Sequence, residues 1–188
     1  MEQENKVQFN LKNVHYAVMT DEGAGEWSTP VAIPGAVTLT LDPQGDVTPF
    51  YADGIVYYNS VSNQGYSGDL EMARYPDKML KDVWGLAEDA TDFTLTENAN
   101  IEPKNFALMY QIDGDADEQL YVLYKCVGTR PGIGGTTNTN TKEPQTQSST
   151  ISATPMLSGN VMARTTAKTP EPVRTNWFQS VYQKNQVV

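Results

Sequence analysis

Three aspartates at alternate positions, Asp113, Asp115 and Asp117, are the side chains of this 188-residue chain best spaced to hold a cation. An EF-hand loop counted from Asp113 needs glycine at its sixth place and a bidentate glutamate at its twelfth. Those places hold Glu118 and Tyr124, and the flanks alternate as strands do, so the run reads as a hairpin turn. Gly65-Tyr66-Ser67-Gly68 approaches a hydrolase nucleophile elbow but misses its five-residue pattern. The single histidine, His15, lies in a strand-like run, where an imidazole is more often packed or hydrogen-bonded than catalytic. Asp69 and Glu71 point the same way from one strand. Glycosidase carboxylates instead flank a cleft and come from different elements, so this pair reads as the wet side of a strand whose dry side carries Leu70 and Met72. Gly132-Ile133-Gly134-Gly135-Thr136 lacks the lysine of a phosphate loop. One histidine and one cysteine, Cys126, offer no zinc-ligand spacing and no disulfide framework. These patterns predict no catalytic residue, no metal and no cofactor.

The elements that carry these residues are mostly strands. Residues 1–12 are polar and weakly patterned and read as an N-terminal arm. Strands are predicted over 14–19, 37–41, 55–58 and 66–73, with turns at 21–26 and around Pro34-Gly35. Residues 76–85 are the one convincing internal helix: Pro76 stands near its first turn, Gly85 suits a left-handed C-terminal cap, and Met79, Leu80, Val83 and Trp84 form one apolar stripe. A short strand is predicted at 93–96. The strongest hairpin spans 105–112 and 119–127, with Phe106, Leu108, Tyr110 and Ile112 alternating on one strand and Leu120, Val122, Tyr124 and Cys126 on the other. Residues 128–142 read as a Gly/Thr/Asn-rich loop, followed by two partly exposed strands at 145–153 and 160–166. Trp177 with Val181 and Phe178 with Tyr182 stand four apart, the spacing of a short C-terminal helix or hook. The sum is a mainly β chain, an antiparallel β-sandwich or partly open barrel with one flanking helix and extended arms.

Residues 42–58 stand apart as a long loop or hairpin. Pro43 and Pro49 rule out a regular central strand, because each removes a ladder donor. Phe50 and Tyr51 are too large for a solvated tip with no partner. The stretch reads as a contact arm, and Asp42, Pro43, Asp46, Pro49, Phe50, Tyr51 and Asp53, with Trp177 and Phe178 near the C-terminus, are the candidate contact residues.

At 188 residues and 39% hydrophobic content the chain can bury one core. No apolar run reaches membrane-spanning length, and the start lacks a signal-peptide pattern, so folding in a cytosol is expected. The net charge of −10 argues against ordinary nucleic-acid binding, which draws its affinity from Lys and Arg.

Several strings then resemble, in order, those of the major tail protein of long-tailed phages (siphophages), the subunit of the tail tube. They are Leu11-Lys12-Asn13-Val14-His15-Tyr16-Ala17, Pro34-Gly35-Ala36-Val37, Asp42-Pro43-Gln44-Gly45-Asp46, Pro49-Phe50-Tyr51-Ala52 and Gly65-Tyr66-Ser67-Gly68-Asp69-Leu70-Glu71. Phe106-Ala107-Leu108, Gly114-Asp115, Arg130-Pro131, Glu143-Pro144-Gln145-Thr146 and Asn176-Trp177 continue the likeness, which covers residues 6–182. It implies one tail-tube domain over 1–188, six subunits to a ring whose inner strands join into a continuous barrel, and rings stacked into a hollow tube that conducts DNA to the host. It also implies a place in the virion tail after synthesis in the host bacterial cytoplasm. The partners it implies are further copies of the chain, a tail terminator, distal tail and tape-measure proteins. Six copies would carry −60 per ring. Asp69 and Glu71 are the candidate lumenal carboxylates, which would repel passing phosphate rather than bind it.

Two other readings remain. The exposed rings of Phe50, Tyr51, Tyr57, Tyr58 and Tyr66 could form the sugar platform of a carbohydrate-binding or adhesion module. A tail terminator or capsid decoration protein would give closed rings or trimers rather than filaments.

Overall fold

The computed structural model describes residues 4–137 and 143–184. The first strand, β1 (Gln8–Asp21), begins inside the segment read as a free arm. Asn10 and Asn13 explain why the pattern hid it. Both adopt left-handed backbone, φ 40° and 49°, which asparagine tolerates, and each interrupts the register with a bulge against residues 106–114. Two bulges destroy the two-residue period that marks a strand in sequence.

After β1 come the two-residue strands β2 (Glu26–Trp27) and β3 (Val31–Ala32), then β4 (Ala36–Gln44), β5 (Val47–Ala52), β6 (Ile55–Val61) and β7 (Gly65–Met72). Helix α1 (Asp77–Asp82) follows, shorter than the apolar stripe that predicts it. Pro76 is its N-cap, and the chain reverses at Gly85 with φ 71°. β8 (Ala87–Glu88) and β9 (Leu95–Thr96) form a small ladder of their own. β10 (Phe106–Gly114), β11 (Gln119–Gly128), β12 (Gln147–Ala153), β13 (Met162–Arg164) and helix α2 (Glu171–Thr175) complete the order.

Nine strands join one antiparallel sheet in the order β2-β1-β10-β11-β12-β7-β4, with β13 beside β11 and β3 beside β1. The sheet curls so that β1 and β4 touch without pairing, and it does not close into a barrel. Inside the curl lies the main core: Tyr16, Leu70, Met72, Phe106, Leu108, Leu123 and Ile151, closed by Met79, Val83 and Trp84 of the helical segment. Its polar tips are paired. The Tyr16 hydroxyl donates to Asp82 Oδ2 at 2.7 Å, Tyr75 to the Leu70 carbonyl at 2.8 Å, and the Trp84 indole to the Gly128 carbonyl at 2.9 Å. Burial pushes the Tyr16, Tyr75 and Tyr110 hydroxyls above the usual tyrosine range, and the Cys126 thiol up to about 12.

The central hairpin departs from simple alternation. Phe106 pairs Cys126 while Leu108 pairs Leu123, so two residues of β11 oppose Ala107. That bulge moves Cys126 onto the main-core face, whereas Leu120, Val122 and Tyr124 face the other way. There, with Ala17, Ala107 and Met109, they form a second core, roofed by the C-terminal segment through Trp177 and Val181. The described residues thus hold two short helices rather than one. The helical spacing of Trp177 and Val181 belongs to a hook of turns after α2.

Candidate assembly surface

The long arm is a continuation of the β4–β7 pair. β4 pairs β7 to Gln44↔Gly65. Gln64 N–H donates to the Gln44 carbonyl and Ser62 N–H to the Asp46 carbonyl, and the ladder resumes at Val47↔Val61. Pro43 is tolerated because β4 is the sheet's edge, and Pro49 because β5 has a partner on one side only. At the tip Asp53 and Gly54 take φ 52° and 77°, the pair of left-handed residues that a tight two-residue hairpin turn requires. From Gly45 to Ala52 such a strand reaches about 25 Å beyond the sheet.

Both faces of the arm are apolar and bare. Direct partners share a face, which puts Val47, Pro49, Tyr51, Val56 and Val61 on one side and Phe50, Ile55 and Tyr58 on the other, with Tyr57 at a bulge. Phe50, Tyr51, Tyr57 and Tyr58 are 61–71% exposed, and Val47, Ile55, Val56 and Val61 46–74%. Summed over the two faces, the four rings present about 400–650 Å² of apolar surface. A free two-stranded ribbon is marginal in water, so this surface demands a cover.

Each predicted contact residue has a definite place. Asp42 and Pro43 end β4, Asp46 sits in the stalk, Pro49, Phe50 and Tyr51 lie in β5, and Asp53 forms the tip; all are exposed. Trp177 differs. It is 2% exposed, and its indole donates to the Tyr121 carbonyl at 3.3 Å, so its ring is spent inside its own chain. Phe178 is half-buried and stacks on His15 with ring centroids 4.6 Å apart. Val47, Ile55, Val56 and Val61, which the sequence reading did not single out, are as bare as the rings. The signal was there: an Asp-Gly pair between two apolar runs marks a hairpin whose strands share one fate.

Asp69 and Glu71 occupy the outer face of β7, opposite Leu70 and Met72, which are fully buried. Register lines Thr38, Glu71 and Ser148 in one row, Thr40, Asp69 and Thr150 in the next, and Asp42, Ser67 and Ser152 in a third. The Thr150 hydroxyl donates to Asp69 at 2.7 Å and Thr146 donates to Glu71. These three rows hold only hydroxyls and carboxylates. Open backbone edges among the described residues include the outer side of β4 and that of β1 before His15.

Asp113, Asp115 and Asp117 do not converge. Asp113 pairs with Lys12, Asp115 accepts the Lys6 N–H at 2.8 Å, and Asp117 takes a two-pronged contact from Arg174. Among the described residues no three His, Cys, Asp or Glu side chains gather as a metal-binding set, and no helix is long and apolar enough to cross a membrane.

No protein-family model matches the chain, and no curated protein sequence does. Among solved structures, a chain from "Cryo-EM structure of the anti-feeding prophage (AFP) baseplate, 6-fold symmetrised" is similar with a TM-score of 0.45 and 12% identity, over 89% of this chain and 99% of that chain. A likeness this distant carries no argument about function.

Proposed function

We propose that this chain is the subunit of a hollow phage tail tube, assembling as six-membered rings that stack and conduct DNA. The observation that carries this reading is the arm, a β-ribbon apolar on both faces and bare on both. Copies of the same chain are the economical cover for such a ribbon, since every subunit then supplies and buries one. A stable interface buries about 800 Å² per partner, which the arm reaches once its rings and aliphatics are covered. The open edges of β4 and β1 support the same reading, because strand pairing between copies satisfies edges that a monomer leaves to water. The row of carboxylates and hydroxyls on β4, β7 and β12 suits a bore that DNA passes without sticking. The ordered string of tail-protein resemblances over residues 6–182 supplies the family.

Negative-stain microscopy with light scattering across protein concentration, at about 0.15 M salt, tests it. Six-fold rings or hollow tubes support the proposal. A strict monomer that binds glycan through its exposed rings overturns it in favour of the carbohydrate-binding reading, which the same four aromatics of the arm would serve.

A further inference from the structure

The arm and its flanking strands contain no cation: between Lys12 and Arg74 the sequence holds no lysine or arginine. From β4 through β7 the charges are Asp42, Asp46, Asp53, Asp69 and Glu71. An arm of that composition docks only on a surface that offers apolar contact and positive charge together.

Most cations of the described residues are already taken. Lys12, Arg74, Lys78, Lys81, Lys125, Arg130 and Arg174 each pair with a carboxylate in the same chain. Lys6, Lys104, Arg164 and Lys184 form no ion pair among the described residues, and of these Lys6 and Arg164 line one groove. It is a cleft of about 1040 Å³ between the N-terminal segment and the link from β13 to α2. Val7 and Ala167 supply apolar wall. The carboxylate of Asp117, also in the lining, is engaged by Arg174, which leaves Glu4 as the opposing charge. A volume of this size admits a hairpin tip rather than a single ion.

The arm's tip has the complementary pattern, Asp53 between Tyr51 and Ile55, the two apolar side chains 63% and 64% exposed. The tip does not fill the groove of its own chain, since its residues are bare. Register also shows that β7 running toward Gly65, where the arm leaves, points the same way along the sheet as β11 running toward Gln119, where the groove lies. Arm and groove thus face the same way on one subunit and are offset across the sheet. We infer that the groove of one copy receives the Asp53 tip of another, with Lys6 and Arg164 beside the carboxylate. Because arm and groove are different patches, the contact is heterologous and propagates from copy to copy until a ring closes.

This inference rests on the assembly proposed above, and the test separates the two. Asp53→Cys and Arg164→Cys are made as separate full-length proteins, mixed and oxidised. Cys126 is fully buried and stays out of the reaction. The expected result is a disulfide-linked chain dimer in the mixture at several times the yield of either variant alone. In parallel, Arg164→Glu should raise the concentration for half-assembly about tenfold, and Asp53→Lys in the same chain should restore it. Oligomers that form without the mixed dimer, and with Arg164→Glu as competent as the parent, overturn the groove and leave the tube. A mixture that stays monomeric at every concentration overturns both.

Discussion

Arg174 holds Asp117 with two hydrogen bonds of 2.7 and 2.9 Å, its guanidinium fork tying the end of α2 to the turn between β10 and β11. Asn5 grips the same turn from the other terminus, accepting from the Asp117 N–H at 2.8 Å and donating to its carbonyl. The N-terminal segment and the end of α2 are thereby fastened to one four-residue turn. Replacing Arg174 with Ala removes a part-buried charge-assisted fork and should cost about 1.5–3 kcal/mol in urea unfolding. Trp177→Ala, which empties the roof of the second core, should cost about 3–5 kcal/mol. Phe178→Ala should cost clearly less than Trp177→Ala. Equal costs for the two would contradict the hook described here.

The arm should report on assembly and not on subunit stability. Phe50→Ala and Tyr51→Ala remove rings more than 60% exposed and should leave the monomer's melting temperature within a few degrees of the parent. Both should abolish oligomers in light scattering. An arm variant that melts early yet still assembles would show that the rings serve the fold.

Salt should act in two directions. A charge of −10 per copy opposes crowding of subunits, and raising ionic strength from 0.01 to 0.15 M shortens the Debye length from about 30 to about 8 Å. Assembly should quicken over that range. Toward 1 M, where the length is about 3 Å, loss of the arm–groove ion pairs should slow it again. A rate that only falls with salt would mean that net repulsion plays no part.

Asp69→Lys combined with Glu71→Lys reverses the charge of the outer face without touching the core. Assembled particles of this variant should retain double-stranded DNA in a gel-shift assay at low salt, whereas the parent should not. Parent particles that bind DNA equally well would remove the case for a repulsive bore.

Alkaline stability should carry the signature of Cys126. Burial raises its thiol from 9.0 to about 12, so the native state keeps a proton that the unfolded chain gives up above pH 9. The associated stability is complete below pH 9 and drains as pH rises toward 12, at up to about 1.4 kcal/mol per pH unit. Tyr124, raised by burial from 10.0 to about 12, adds to the loss above pH 10. In Cys126→Ala the fall between pH 9 and 10 should flatten, as denaturant midpoints across pH would show.

The sequence alone determined the class of the fold, the helix that closes the core, the central hairpin and the dry and wet sides of β7. These are local: a two-residue or 3.6-residue period survives only where one stretch of chain keeps one face to one environment. It also marked residues 42–58 as an arm, because prolines and exposed rings in a strand-like run have few other uses. Tertiary structure decided what periodicity cannot carry. Bulges at Asn10, Asn13 and beside Ala107 shift which face each later residue takes, so β1 starts early and Cys126 changes core. Trp177 went inward rather than to a neighbour because a sheet curled around one core leaves its other face open, and the C-terminal hook is what reaches it. The groove beside Arg164 joins residues about 160 apart in sequence, a meeting that no local pattern encodes.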